Sequence, residues 1–159
     1  MARLPRNVLA EGRFFHVTAR GVAREAVFRD REDRLEFLGL LATAVRRHDW
    51  QTHAFCLMGN HLHLVVEAGL AQLSRGMHLL LGAYAQRFNE RHGRVGHLFG
   101  DRFAARLIAS EEYLATACGY VLLNPVRAGL CETAGEWPWS ASRYSLVPVS
   151  SARERLVRG

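Results

Sequence analysis

Between Thr52 and Ala68 the chain carries two apolar runs joined by Gly59-Asn60, and no other stretch restricts the fold as much. Thr52 to Met58 and His61 to Ala68 each read as a strand, and a glycine–asparagine pair between such runs signals a tight turn. Residues two apart in a strand project from the same face. Leu62, Leu64 and Val66 therefore face one way, and His61 and His63 stand side by side on the other. Two neighbouring imidazoles on a rigid strand are able to hold a metal ion. The same alternation is also what any half-buried strand with a wet face displays.

The flanking segments complete a recognisable order. Arg13 to Arg20 (RFFHVTAR) is aromatic and β-branched and reads as a first strand, with Gly21 opening a loop that runs to Phe28. Asp30 is placed as an N-cap, and Leu35, Leu38, Leu41, Ala42 and Val45 form a helical stripe that ends near His48 to Trp50. Ala71 to about Arg91 is a second amphipathic helix, with Leu73, Met77, Leu80, Leu81, Tyr84 and Phe88 on one side. RHGRVGHLFGDR reads as a flexible loop, and Phe103 to Ile108 as a fourth strand. Ser110, Glu111 and Glu112 cap a third helix that should stop at Asn124, because Pro125 follows. The segment with WPWS at Trp137 to Ser140 reads as packed irregular structure.

The order β-α-β-β-α-β plus a helix predicts an α+β protein. Its sheet is ferredoxin-like or RRM-like and antiparallel, with helices on one face and an additional C-terminal helix. At 159 residues the chain should form one domain over residues 1–149, followed by a polar tail over 150–159. No apolar run is long enough to span a bilayer. MARLPRNVLAEGR lacks a signal-type apolar stretch, so a cytoplasmic location is expected. Cys56, Cys118 and Cys131 are widely spaced without a CxxC pair, which argues against a disulfide framework or zinc knuckle.

The formal charge is +6 and every basic residue is arginine, since lysine is absent. Arginine suits phosphate and also stacks on bases, although a GC-rich coding sequence would enrich it equally well. Either way the surface should attract polyanions in a salt-dependent manner. Arg87, Arg91, Arg94, Arg102 and Arg106 gather around the second helix and the glycine-rich loop, as a solvated basic face or as a phosphate-tracking groove. Arg3 and Arg6, with Arg13, form a candidate arm reaching a second part of a nucleic acid.

Tyr120 and Asn124 lie one turn apart on the third helix and so share a face. Most helical tyrosines simply pack, and a free phenol (pKa about 10) needs help to attack phosphorus. A divalent cation supplies such help, and the Asn124 carbonyl oxygen is a candidate third ligand as well as an ordinary helix C-terminal group. His16 on the first strand and His53 on the second read as core-adjacent or lining the site, His48, His78, His92 and His97 as surface or loop residues, and none of the six as a ligand. The chain has no P-loop, nucleophile elbow or paired-carboxylate site, which argues against nucleotide hydrolases and glycosidases.

The segments FHVTARGVAREAVF, AFCLMGNHLHLVV, YAQRFNERHGRVGHLFGDRF and EEYLATACGYVLLNPVRAGL, with the later WPWSASRY, run from Phe14 to Tyr144. In that order they resemble the REP-associated tyrosine transposases, a branch of the single-tyrosine HUH endonuclease superfamily. The resemblance implies that His61 and His63 bind the catalytic metal, that Tyr120 is the nucleophile, and that Asn124 is a third ligand. It further implies Mg²⁺ or Mn²⁺ as the ion, although imidazole ligands ordinarily suit later transition metals better. The implied substrate is hairpin or single-stranded DNA, cleaved through a 5′-phosphotyrosine intermediate and rejoined. Gly59 departs from the family pattern, in which proline is frequent at that turn position.

Two other readings remain open on the sequence. One is a hairpin-binding protein of RRM-like fold that does not cut. The other is a structural zinc site made by His61, His63 and a cysteine. Monomer and homodimer with an exchanged tyrosine helix are equally compatible with the chain.

Overall fold

In the computed structural model, which describes residues 13–142, the four expected strands and a fifth form one antiparallel sheet. The strands are β1 (Phe14–Arg20), β2 (Gln51–Leu57), β3 (His61–Glu67), β4 (Ala104–Leu107) and β5 (Ser140–Ser142), in the order β4-β1-β3-β2-β5. The fifth was not expected: the stretch with WPWS ends in a short strand that pairs with β2 through Ala54–Ser142, Phe55–Ala141 and Cys56–Ser140. Arg3, Arg6 and the expected tail over 150–159 lie outside the described residues.

Two long helices cover one face. Helix α1 (Arg31–His48) is capped by Asp30, whose side chain accepts from the Asp33 amide at 3.0 Å. Glu32 and Asp33 in its first turn, and Arg46, Arg47 and His48 in its last, complement the helix dipole. Helix α2 (Leu70–His92) ends at Gly93, which takes the left-handed conformation (φ 60°) that such a stop favours. Phe15, Val17, Phe55, Leu57, Leu62, Leu64 and Val66 from the sheet pack with Phe37, Leu41, Leu73, Met77, Tyr84 and Phe88 from the helices in the main core.

Helix contact is tightest where α2 crosses Trp50. A Cβ on Gly76 would lie 2.3 Å from the indole, whose Nε1 donates to the Gln72 carbonyl at 3.2 Å. Alanine is worth about 1 kcal/mol more than glycine inside a helix, whereas overpacking costs about 1–3 kcal/mol. Because Trp50 is buried and held by that bond, the clash should win. Gly76→Ala is expected to lower the urea midpoint of unfolding, while Gly82→Ala, where a Cβ meets nothing, should raise it.

The third helical segment is shorter than the sequence suggests and covers the opposite face. Residues 111–113 form a 3₁₀ turn, α3 spans Leu114–Leu122, and a single further turn, α4 (Asn124–Arg127), follows. Ser110 makes no side-chain capping bond, and Pro125 sits in the first turn of α4, where its missing amide costs nothing. Leu114, Cys118 and Val121 pack on Phe14, Ala54, Cys56, Met58 and Val65, forming a second, smaller core. That face also carries both histidines of β3.

Candidate functional site

The β2–β3 turn sets where the histidines stand. The Met58 amide donates to the His61 carbonyl at 2.9 Å, and the Gly59 carbonyl accepts from Val27 and Phe28 at 2.9 and 3.0 Å. Neither turn residue has positive φ, so the backbone bends tightly without using glycine's special freedom. The loop after β1 grips the turn from outside, and no proline is needed to stiffen it.

On β3, the His61 and His63 rings lie 5.0 Å apart at 81°. His61 Nδ1 is 2.6 Å from Asn60 Oδ1, and His63 Nδ1 is 2.9 Å from His16 Nε2. His63 Nε2 is buried without a hydrogen-bond partner. Tautomers follow from these contacts. Asn60 Oδ1 accepts only, so His61 carries its proton on Nδ1 and keeps a lone pair on Nε2. With His63 also donating from Nδ1, to His16, its buried Nε2 keeps a lone pair, whereas the other tautomer would bury an unpaired N–H. A metal-ligating histidine typically donates its second ring N–H to a fixed acceptor, so this donor set fits a divalent cation.

All three imidazoles are held neutral. Burial, then the neighbouring His16, His61, Arg20 and Arg127, push His63 down to about 3. Burial, then Arg106, push His16 down to about 4, and burial with Arg20 lowers His61. In the unfolded chain these groups take up protons near pH 6.5, before the folded chain does. The stabilising contribution is therefore complete above about 6.5 and lost as pH falls toward 4 and 3. The metal-free protein should show a melting temperature that drops across this window, and a smaller drop in His63→Gln.

Tyr120 is 53% exposed and stands edge-on to His16, with ring centroids 6.1 Å apart. The Arg127 guanidinium lies 4.0 Å above the Tyr120 ring and donates to the Tyr120 carbonyl at 2.7 Å. Tyr120, His16, His63 and His61 thus form a continuous row within one chain. Asn124, half-buried, donates from Nδ2 to the Val121 carbonyl at 3.1 Å, and no hydrogen bond ties it to the histidines among the described residues. His16, read from the sequence as core-adjacent or lining the site, does line it, whereas Arg20 and Arg127 are neighbours that the sequence pattern did not single out. Strand register places the first two, since Arg20 pairs with His61 and His16 lies two residues before Thr18, the partner of His63.

The expected basic groove divides into two groups. Arg87 pairs with Glu36, Arg91 with Asp30, Glu32 and Asp33, and Arg94 with Glu25, so these cations are already neutralised. Arg102 and Arg106 are exposed and make no ion pair among the described residues. His92 is not a free surface group: its Nε2 lies 2.9 Å from the buried Asp33 carboxylate. Asp30, Asp33 and His92 place ligand atoms within 4.8 Å of one another, a spacing open to a metal ion. Arg91 already occupies both carboxylates there, at 2.6 and 2.7 Å, and ties α1 to α2.

The sequence profile of IS200-like transposases matches residues 12–123. A Haemophilus influenzae protein assigned as a REP-associated tyrosine transposase is 25% identical over 117 residues, covering 67% of this chain; the chain spans 66% of that relative's length. Among solved structures, a REP-associated tyrosine transposase bound to a REP hairpin superposes with a TM-score of 0.67 at 17% identity, covering 98% of each chain. A Deinococcus radiodurans R1 protein assigned as a transposase gives a TM-score of 0.50 at 20% identity over 68% of this chain and 87% of its own. These likenesses support the antiparallel α+β fold, and no helix among the described residues is long and apolar enough to cross a membrane. With the profile matching most of its length, the chain belongs to the IS200-like transposase family.

Proposed function

We propose that this chain cuts and rejoins single-stranded DNA beside a hairpin, using Tyr120 as nucleophile and a divalent cation held by His61 and His63. One observation carries the reading: a half-exposed phenol stands beside His16, which is itself bonded to a histidine whose other ring nitrogen is buried and unpaired. A packed core tyrosine has no physical need of such neighbours. The structural relative solved with a REP hairpin supplies the substrate class.

His61 Nε2 and His63 Nε2 would hold Mg²⁺ or Mn²⁺, with Asn124 Oδ1 as third ligand. A divalent cation held there would supply Lewis-acid polarisation of the scissile phosphate and offset charge developing on it. Tyr120 Oη attacks phosphorus and loses its proton to solvent. The bond from phosphorus to the 3′ oxygen breaks, and that oxygen leaves as a hydroxyl after taking up a proton. The 5′-phosphate remains on Tyr120 until another 3′-hydroxyl attacks it and restores the phenol. One phosphodiester replaces another, so no nucleotide cofactor is required. His16 keeps His63 in the ligating tautomer, and Arg127 holds the Tyr120 ring over the site. In this reading one chain supplies the full set, and a monomer would suffice for cleavage.

The test is incubation with a single-stranded oligonucleotide bearing a REP-type hairpin, with Mn²⁺ or Mg²⁺, followed by denaturing electrophoresis. A protein–DNA adduct should form, and chelator should abolish it. Binding without adduct under either metal, indifferent to chelator, would identify a hairpin-binding protein instead.

A further inference from the structure

We propose that Arg20, Arg106 and Arg127 form a phosphate grip around the histidine pair, across which a DNA single strand runs over the β1–β4 half of the sheet. The inference rests on the function proposed above only for its choice of polyanion.

Topology leaves this half of the sheet the more open. Helix α3 packs mainly on β2, β3 and β5 and meets β1 at Phe14 and at His16, so the Thr18–Arg20 end of β1 and the neighbouring β4 are the less covered part. On the same face, Thr18 is half-buried and Ala104 and Arg106 are exposed. Register then places two cations at the site's edge. Arg20 lies directly across from His61, and Arg106 directly across from His16. Opposed residues on one face of an antiparallel pair stand about 5 Å apart at Cβ. The third cation, Arg127, comes from α4 and lies over Tyr120.

Charge state separates these arginines from the others. Among the described residues, Arg20, Arg106 and Arg127 have no carboxylate partner, whereas Arg87, Arg91 and Arg94 are paired on the helix side. These three cations flank the histidine pair without a carboxylate partner among the described residues, so the patch carries positive charge that a phosphodiester would neutralise. Small Ala104 and the short Thr18 leave a flat floor on which a backbone can lie.

The experiment measures binding of a fluorescein-labelled twelve-nucleotide oligo-dT by anisotropy, in EDTA, across a salt series. Each of Arg20→Gln, Arg106→Gln and Arg127→Gln should reduce the slope of log K against log salt by about 0.7, the value for one phosphate contact on a single strand. At a fixed salt near 100 mM, affinity should fall by roughly 3–10-fold per substitution, and Arg→Lys should preserve the slope. Arg46→Gln and Arg47→Gln, which remove the same charge from α1 on the other side of the sheet, should change neither. Equal losses in the α1 variants, or unchanged slopes in the three site variants, would overturn the grip. Adduct formation by the unsubstituted chain with Mn²⁺ reads the catalytic proposal separately. Cleavage with unchanged slopes sinks the grip alone, and altered slopes without cleavage sink the catalytic reading alone.

Discussion

Tyr120→Phe should bind hairpin DNA as the unsubstituted chain does and form no covalent adduct, with cleavage reduced at least about 10³-fold, the scale of removing a nucleophile. The substitution removes one oxygen and keeps the ring. Arg127 therefore retains its cation–π partner, and its bond to the Tyr120 carbonyl is untouched. The ring is half exposed, so little packing is at stake and thermal stability should shift by less than about 0.5 kcal/mol. Gel-shift affinity and adduct yield, measured on the same oligonucleotide, separate the two effects. Full cleavage by the phenylalanine variant would remove Tyr120 from the chemistry.

His63→Leu should show the reverse division, losing the metal while keeping or gaining stability. In the metal-free fold His63 is buried with an unpaired Nε2, and leaving a buried polar atom unsatisfied costs about 1–3 kcal/mol. Leucine is close in size and faces Cys56 and Thr18, its cross-strand partners, so the apolar replacement fits. The lost bond to His16 matters less, because His16 is only half-buried. In EDTA the melting temperature of the variant should equal or exceed that of the unsubstituted chain. A cation at 100 times its dissociation constant stabilises a fold by about 2.7 kcal/mol, and this Mn²⁺-dependent rise should vanish in the variant. A lower melting temperature with an intact Mn²⁺ response would contradict the assignment of His63 as ligand.

Legibility in the sequence followed the strength of the local signal. Aromatic, β-branched and apolar runs located β1, β2 and β3 almost to the residue, and Asp30 marked the start of α1 through capping chemistry visible in the chain. β5 was hidden because Ser-Ala-Ser has no strand preference of its own; it exists because β2 offers it hydrogen bonds. α3 stops at Leu122 and a separate turn restarts at Asn124 with Pro125 in its first positions, a break that the pattern of apolar residues does not encode. At the site, His61, His63 and Tyr120 stood out as residue types in a pattern. His16 was legible only as core-adjacent or site-lining, and Arg127 not at all, since their contacts arise from strand register and from a helical turn folding back over the ring. Electrostatic pairing was the least legible feature: an arginine bound to three carboxylates and one facing open strand look identical in a sequence.

The fifth strand also bears on how the molecule survives at high concentration. Its backbone seals the rim of β2: the Leu57 amide donates to the Trp139 carbonyl at 2.8 Å, and the Trp137 indole caps the Leu57 carbonyl at 3.1 Å. Arg34 clasps this strip between Trp137 and Trp139, with its guanidinium 5.8 and 5.6 Å from the rings. Stripped of that strip, β2 would offer a bare ladder of amides and carbonyls to any passing chain, the usual seed of fibrous precipitation. Three small residues and a pair of indoles thus act as the selvedge of the sheet, keeping a sticky border from unravelling into its neighbours.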